Sequence, residues 1–303
     1  MSVLTLGIDT SNYTTSVALS EDGKIIFNEK ILLDVPAGER GVRQSDAVFL
    51  HTKNLPVLFE KLGERKLDAV GVSVRPRDVE GSYMPCFLAG LSSATAISAV
   101  NGIERYEFSH QAGHIMAALY SCQRTDLVSS EFIAFHVSGG TTEMLLVDNM
   151  YVTRIGGTLD LNAGQLIDRI GVKLGYSFPC GLAMDKELVT LDSADCSSCV
   201  RGFDCHFSGL ENQADKLISS GADKKTVVAF VFKSVMRTLD KMTRNALDKY
   251  GELPVIYAGG VTGNRFISSY LEKKYGAYFA SPEFSADNAA GAALLAHAKY
   301  IKS

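Results

Sequence analysis

Two stretches of this chain repeat one layout. Residues 3–8 (VLTLGI) and 14–19 (TTSVAL) lie on either side of DTSNY, and residues 132–137 (FIAFHV) and 143–148 (EMLLVD) flank SGGTT in the same way. Apolar, β-rich runs on both sides of a short polar turn form hairpins, so each stretch is predicted to be one. The elements downstream of the two hairpins are also similar. After the first come a third strand at 24–28, a helical pattern from Ser45 to Leu62 broken near Pro56, the strand DAVGVSV at 68–74 and a small-residue helix over 87–100. After the second come a long helix from Asp223, whose carboxylate can cap it, the strand PVIYAGG at 254–260 and an Ala-rich helix over 286–300. The order of elements predicts an α/β chain of two duplicated lobes with a central cleft, one spanning 1–130 and the other 131–303. The helix at 286–300 is free to pack back on the first lobe.

Length and charge narrow the classes open to such a chain. At 303 residues and 46% hydrophobic content it can bury two full cores. The net charge of −4 gives no basic field, so the chain alone should hold nucleic acid weakly. Arg65 with Lys66, Lys224 with Lys225, and Lys273 with Lys274 read as solvated helix faces. The opening MSVLTLGIDTS lacks the features of a signal peptide, and no apolar run reaches the ~18 residues of a membrane span. The expectation is a cytoplasmic protein with no membrane partner. Six cysteines in a chain of this size point to reduced thiols or metal ligands rather than a disulfide framework.

Three loops carry the residue types that grip phosphate: Asp9-Thr10-Ser11-Asn12, Ser138-Gly139-Gly140-Thr141-Thr142, and Ala258-Gly259-Gly260-Val261-Thr262-Gly263-Asn264. Backbone N–H groups bind phosphate oxygens only where side chains leave room, which glycine and small hydroxyl residues allow. In the first loop Asp9 offers a carboxylate for a metal-bound water, with Ser11 beside it. His110 and His114, four apart in SHQAGHIMAALY, project from one helix face in the spacing that holds a transition metal. Spacing alone equally allows an ordinary core or surface pair, and a third, oxygen ligand would be needed. Cys180, Cys196, Cys199 and Cys205 include one CxxC, so a second metal at these thiols is a further candidate; buried, inert thiols are the plainer reading.

The strings GIDTS (7–11), HQAGH (110–114), VSGGTTE (137–143), LDLNAGQLIDRIGVKLGY (159–176), FPCG (178–181), FSGLEN (207–212), AGGVTGNR (258–265) and PEFSADNAAGAA (282–293) resemble, in order, those of the TsaD family of tRNA threonylcarbamoyladenosine synthases. The resemblance implies the two-lobed fold of the actin and sugar-kinase ATPases. It implies iron or zinc at His110, His114 and Asp287, and ATP or threonylcarbamoyl-adenylate with Mg²⁺ held by Ser138, Gly139, Gly140, Asp168, Gly181, Gly259, Gly260 and Asn264. Asp9, Ser11 and Asp168 become the candidate catalytic residues. The implied reaction transfers a threonylcarbamoyl group from its adenylate to N6 of an adenosine in the tRNA anticodon loop. The implied partners are the nucleotide, tRNA held with the help of other subunits, and a TsaB-like heterodimer partner.

The chain also departs from the family pattern. The Asp-Glu pair of the family's ETSCDET turn is replaced by Tyr13 and Thr14. The short GPG loop becomes RPRDVEGSYMPCF (75–87), which reshapes the substrate mouth or brings a substitute carboxylate. Thr141 stands for the histidine of the SGGH turn and Gln165 for the Glu of the GEAFD helix. These changes keep two alternatives in view: an ATP-dependent carbamoyl or acyl transferase acting on a small molecule, and a catalytically silent nucleotide-binding scaffold that partners the true synthase. A metalloprotease is disfavoured, because HQAGH lacks the Glu base of HExxH.

Overall fold

The computed structural model describes residues 2–11, 13–34, 42–191, 196, 198–284 and 289–303. They form two compact units. One holds the described residues up to Val128, the tip Met150–Val152 and the residues from Ala289; the other holds Ser129–Asn149 and the described residues from Thr153 to Phe284. Asn12 and Asp287, both named from the sequence, lie outside the described residues.

The first unit is built from β1 (Leu4–Asp9), β2 (Thr14–Glu21), β3 (Lys24–Leu32), α1 (Gln44–Leu62), β4 (Ala69–Arg75), α2 (Phe87–Asn101), β5 (Glu104–Ser109) and α3 (His110–Ser121). Its sheet runs β3-β2-β1-β4-β5. β1, β2 and β3 form an antiparallel meander, and β4 and β5 add in parallel on the other side of β1. Leu6 and Ile8 of β1 are buried, whereas β3 alternates between exposed and half-buried positions, as an edge strand with one covered face does. Helix α1 runs through Pro56 without the predicted break. Proline removes one helical hydrogen bond, to the carbonyl four residues earlier at Thr52. Thr52 and Pro56 both lie on the exposed face, where water can take that carbonyl, while Leu55 and Leu58 stay buried.

The second unit contains β6 (Glu131–Val137), β7 (Thr142–Asp148), β8 (Tyr151–Thr158) from Thr153 onward, α4 (Ala163–Lys173), α5 (Gly181–Glu187), β9 (Val200–Arg201), β10 (Asp204–Cys205), α6 (Ser208–Ser219), α7 (Lys224–Tyr250), β11 (Val255–Ala258), α8 (Arg265–Tyr275) and β12 (Tyr278–Phe279). Its sheet order is β12-β11-β6-β7-β8-β10-β9. The five strands β8-β7-β6-β11-β12 therefore repeat the order β3-β2-β1-β4-β5. Asp223 caps α7 by accepting from the Lys225 and Thr226 amides at 2.8 and 3.1 Å. The stripe Val227, Phe230, Val231, Val235, Leu239, Met242 and Ala246 is buried, as its helical spacing requires. Across β6, β11 and β12 the rings of Phe135, Tyr257 and Phe279 stack with centroids 4.7 and 5.1 Å apart. Offset stacks of this kind add about 0.5–1.5 kcal/mol per pair beyond area burial and fix the strand neighbours.

Helix α9 (Ala290–Tyr300) belongs to the first unit, lying on β1 and β4. Its approach depends on missing side chains. A Cβ on Gly7 would stand 2.3 Å from the Ala289 carbonyl oxygen, and one on Gly71 would stand 2.2 Å from that of Ala292. No backbone can yield that far, so any larger residue at either position pushes the helix off the sheet.

Candidate functional site

In the first unit the candidate chemistry gathers where β1 and β4 end and α3 begins. Ser109 starts α3, its hydroxyl accepting the Ala112 amide at 3.1 Å. One turn separates His110 from His114, and their Nε2 atoms face each other at 2.9 Å. The other ring nitrogen of His110, Nδ1, lies 2.9 Å from Asp9 Oδ2. Asp9 is 2% exposed and also accepts from the Ser73 hydroxyl at 2.5 Å and the Ser11 amide at 2.9 Å. Burial alone would push the Asp9 carboxyl up, but His110, Ser11 and Ser73 outweigh it and hold the group below the usual carboxylate range. An ionised Asp9 makes Nδ1 of His110 the protonated nitrogen and leaves Nε2 as a lone pair aimed at His114. Two imidazole nitrogens converging, one oriented by a carboxylate behind it, is a donor set that suits a divalent transition metal. Among the described residues no third His, Cys, Asp or Glu joins them. Ser11 Oγ, also named from the sequence, is buried beside Asp9 with no hydrogen-bond partner among the described residues.

The long 75–87 loop is tied to the same helix start. Asp78 bridges Arg75 at 2.8 Å and the Ser109 hydroxyl at 2.9 Å, and Gln111 N donates to Pro76 O at 3.1 Å. The Asp78 carboxylate thus anchors the loop beside the start of α3. Of the two replacements, Thr14 is buried and Tyr13 is 44% exposed.

In the second unit, β6 and β11 are parallel neighbours, so the loops after them emerge at one edge of the sheet, where α/β sheets bind ligands. A cavity of about 330 Å³ opens there. Five of the predicted residues line it: Gly139, Asp168, Gly181, Gly260 and Asn264. Ser138, Gly140 and Gly259 are not among its lining residues but belong to the turns that carry Gly139 and Gly260. Ser138 Oγ accepts from the Gly140 and Thr141 amides, which closes the turn, and Ser138 O accepts from Gly164 N at 3.2 Å. Gly259 has φ +103° and runs against the Val137 backbone. Asp168 Oδ1 accepts from Cys180 N at 2.8 Å, which fixes the FPCG turn to α4. Asn264 caps α8 through the Phe266 and Ile267 amides and donates to Asp185 Oδ1 at 2.5 Å.

Leu182, Asp185 and Phe232 also line the cavity and lie outside every motif named from the sequence. Asp185 and Phe232 enter from α5 and α7, and Gly164 presses the start of α4 against the Ser138-Gly139 turn. Burial pushes the Asp185 carboxyl up, with Arg265 opposing. Among the described residues no three His, Cys, Asp or Glu side chains are grouped to hold a metal, the four cysteines included. Cys180 Sγ is directed at the carbonyls of Asp168 and Tyr176. Burial raises the Cys180 thiol and lifts Cys205 to about 12.

The model of the TsaD family, tRNA N6-adenosine threonylcarbamoyltransferase, matches residues 32–294. This chain belongs to the TsaD family. Its TsaD relatives include the tRNA N6-adenosine threonylcarbamoyltransferase of Methanopyrus kandleri, 25% identical across 95% of this chain and 85% of that protein. The enzyme of the same name from Thermosipho africanus is 28% identical across 99% of this chain and 95% of its own length. Among solved structures, HypF of T. kodakarensis aligns with a TM-score of 0.64 at 13% identity over 99% of this chain and 48% of that one. Component A of the Acidaminococcus fermentans (R)-2-hydroxyglutaryl-CoA dehydratase aligns at 0.54 with 17% identity over 99% of both chains. The ROK hexokinase of Thermus thermophilus aligns at 0.51 with 15% identity over 98% of this chain and 99% of that one. At these identities they establish the fold alone, the α/β fold of actin-like ATPases and sugar kinases. No helix among the described residues is long and apolar enough to cross a membrane.

Proposed function

We propose that this chain transfers a threonylcarbamoyl group from its adenylate to N6 of an adenosine in the tRNA anticodon loop. The observation that carries the reading is the second-unit cavity, where residues from four separate sequence motifs line one space beside glycine turns. The adenylate is assigned to that cavity. The carboxylates of Asp168 and Asp185 can accept from ribose hydroxyls, and the uncluttered backbone at Gly139 and Gly260 lets phosphate oxygens approach. Ile167, Pro179, Leu182, Phe232 and Val261 supply apolar surface for a base. In the transfer, the N6 amine forms a bond to the carbamoyl carbon, the C–O bond to AMP breaks, and the amine proton is lost.

His110 and His114 would hold the metal, with Asp287 as the third ligand on the family resemblance. A bound iron or zinc would supply Lewis-acid stabilisation of the transferred group. The chain's own part is orientation: Asp9, held by Ser73 and the Ser11 amide, sets the ring plane and tautomer of His110. Orientation and electrostatics are then the main contributions of this chain to rate.

The test supplies purified protein with threonylcarbamoyl-adenylate and unmodified tRNA, then reads the nucleosides by mass spectrometry. Modified adenosine is expected with the wild type and absent with His110→Ala or Asp168→Ala. Adenylate binding together with carbamoylation of a small molecule, and untouched tRNA, would overturn the reading in favour of the small-molecule transferase.

A further inference from the structure

A small apolar cluster in the first unit organises several exposed groups around His110. Its buried members are Leu33, Ala47, Cys86 and Phe87, with Val42, Leu50 and Met84 packed against them. Each holds a neighbour in place. Leu33 N donates to the Tyr13 carbonyl at 2.8 Å. Val42 packs on the cluster, and Gln44 Oε1 accepts from Cys86 N at 3.3 Å, so the exposed Arg43 between them is fixed from both sides. Tyr83 directly precedes Met84 and is 62% exposed. The Phe87 ring lies 6.3 Å from that of His110. A bond of 2.9 Å from the Thr10 hydroxyl to Cys86 O joins the first turn to the end of the 75–87 loop, and Gln111 N joins the start of that loop to α3.

The backbones that carry Tyr13, Tyr83 and Arg43 are therefore all tied to one cluster, a rim whose Phe87 ring neighbours His110, with the exposed Arg77 farther along the same loop. Both tyrosine side chains are exposed, Tyr13 to 44% and Tyr83 to 62%. Aromatic faces stack on any unpaired base, and arginine adds phosphate contact, the combination that grips single-stranded nucleic acid. A chain of net charge −4 has no long-range attraction for RNA, so short-range stacking is the means left to it.

We infer that this rim binds the unpaired bases next to the acceptor adenosine, with Tyr13 and Tyr83 as stacking platforms and Arg43 as a phosphate contact. The inference rests on the transferase reading for the identity of the RNA, not for the binding chemistry.

The experiment measures binding of an unmodified anticodon stem-loop RNA by fluorescence anisotropy and, in parallel, KM and kcat for tRNA. Tyr83→Ala and Tyr13→Ala should each weaken RNA binding and raise KM for tRNA roughly tenfold, with adenylate affinity unchanged and Tyr83→Phe restoring binding. Arg43→Ala should lower the slope of log affinity against log salt by about 0.7, the value for one single-strand phosphate contact. Variants that bind the stem-loop as the wild type does overturn the inference, even where the wild type modifies tRNA and the transferase reading stands. A wild type that binds through these tyrosines without modifying the RNA removes the transferase reading and leaves the rim. No binding by the wild type overturns the rim directly.

Discussion

Asp9 Oδ2 and His110 Nδ1 are 2.9 Å apart, and the carboxylate that makes this contact is buried and accepts two further hydrogen bonds. Its negative charge settles which nitrogen of His110 carries the proton. Asp9→Asn keeps the shape but removes that charge, so the side-chain amide can donate to Nδ1 and turn the tautomer round. Metal affinity should fall by about 10–100-fold, the usual effect of losing such an orienting partner, read as metal content by plasma mass spectrometry after dialysis against a chelator. Retention equal to wild type would mean that Asp9 does not orient a ligand.

Gly164 is where α4 touches the Ser138-Gly139 turn. A Cβ there would lie 2.7 Å from Gly139 N, Gly139 Cα and Ser138 O, all backbone atoms. Gly164→Ala must therefore move the turn. The expected cost is about 1–3 kcal/mol of stability in denaturant melts, with at least tenfold weaker adenylate binding by calorimetry.

Asn264 does two things that substitutions can separate. Its Oδ1 caps α8 and its Nδ2 reaches Asp185. Asn264→Ala should lose about 1 kcal/mol of stability from the cap together with adenylate affinity. Asn264→Ser keeps a capping oxygen, so most of the stability should return while the affinity stays low, as read by Tm and titration calorimetry.

Asp160 accepts from the Phe207 amide at 2.8 Å and the Ser208 hydroxyl at 2.5 Å, which ties the LDLNAG segment to the start of α6. Partial burial raises its carboxyl, but the Ser208 hydroxyl and the Phe207, Leu161 and Ser208 amides win and bring it down to about 2. A carboxyl lowered on folding stabilises the native state above its unfolded value near 4, and that contribution is lost as pH falls from there through about 2. Asp160→Asn should be less stable by about 1–2 kcal/mol at neutral pH after allowing for solvent screening. The difference from wild type in urea melts should shrink as pH falls below about 4 and vanish only below about 2.

Much of this fold could be read from residue order because its signals are local. Alternating apolar runs around DTSNY and SGGTT gave both hairpins, and the stripe after Asp223 gave α7 with its cap. The break expected at Pro56 of α1 does not occur, because the cost of a proline depends on whether water reaches Thr52, which only packing determines. In the candidate site, Gly139, Asp168, Gly181, Gly260 and Asn264 were legible as motif residues. Asp185 and Phe232 were not, since they face the cavity only through the way α5 and α7 pack, and nothing in DKE or FVF marks that. Ser73 was equally silent, an ordinary strand serine until Asp9 is placed beside it. The cysteines show the limit of local spacing: CSSC is read along the chain, while the surroundings of each thiol are set by distant segments.

The covering of β1 and β4 by α9 has a consequence for how the molecule is made. The first sheet emerges early from the ribosome, yet the helix that closes over Gly7 and Gly71 is translated only after the entire second unit. Until then those glycines and their strand neighbours present bare apolar surface, while the second unit already has every segment of its own sheet. Synthesis from the amino terminus normally lets early domains finish first. Here the order is inverted, and the half that begins the protein must wait, exposed, for its lid.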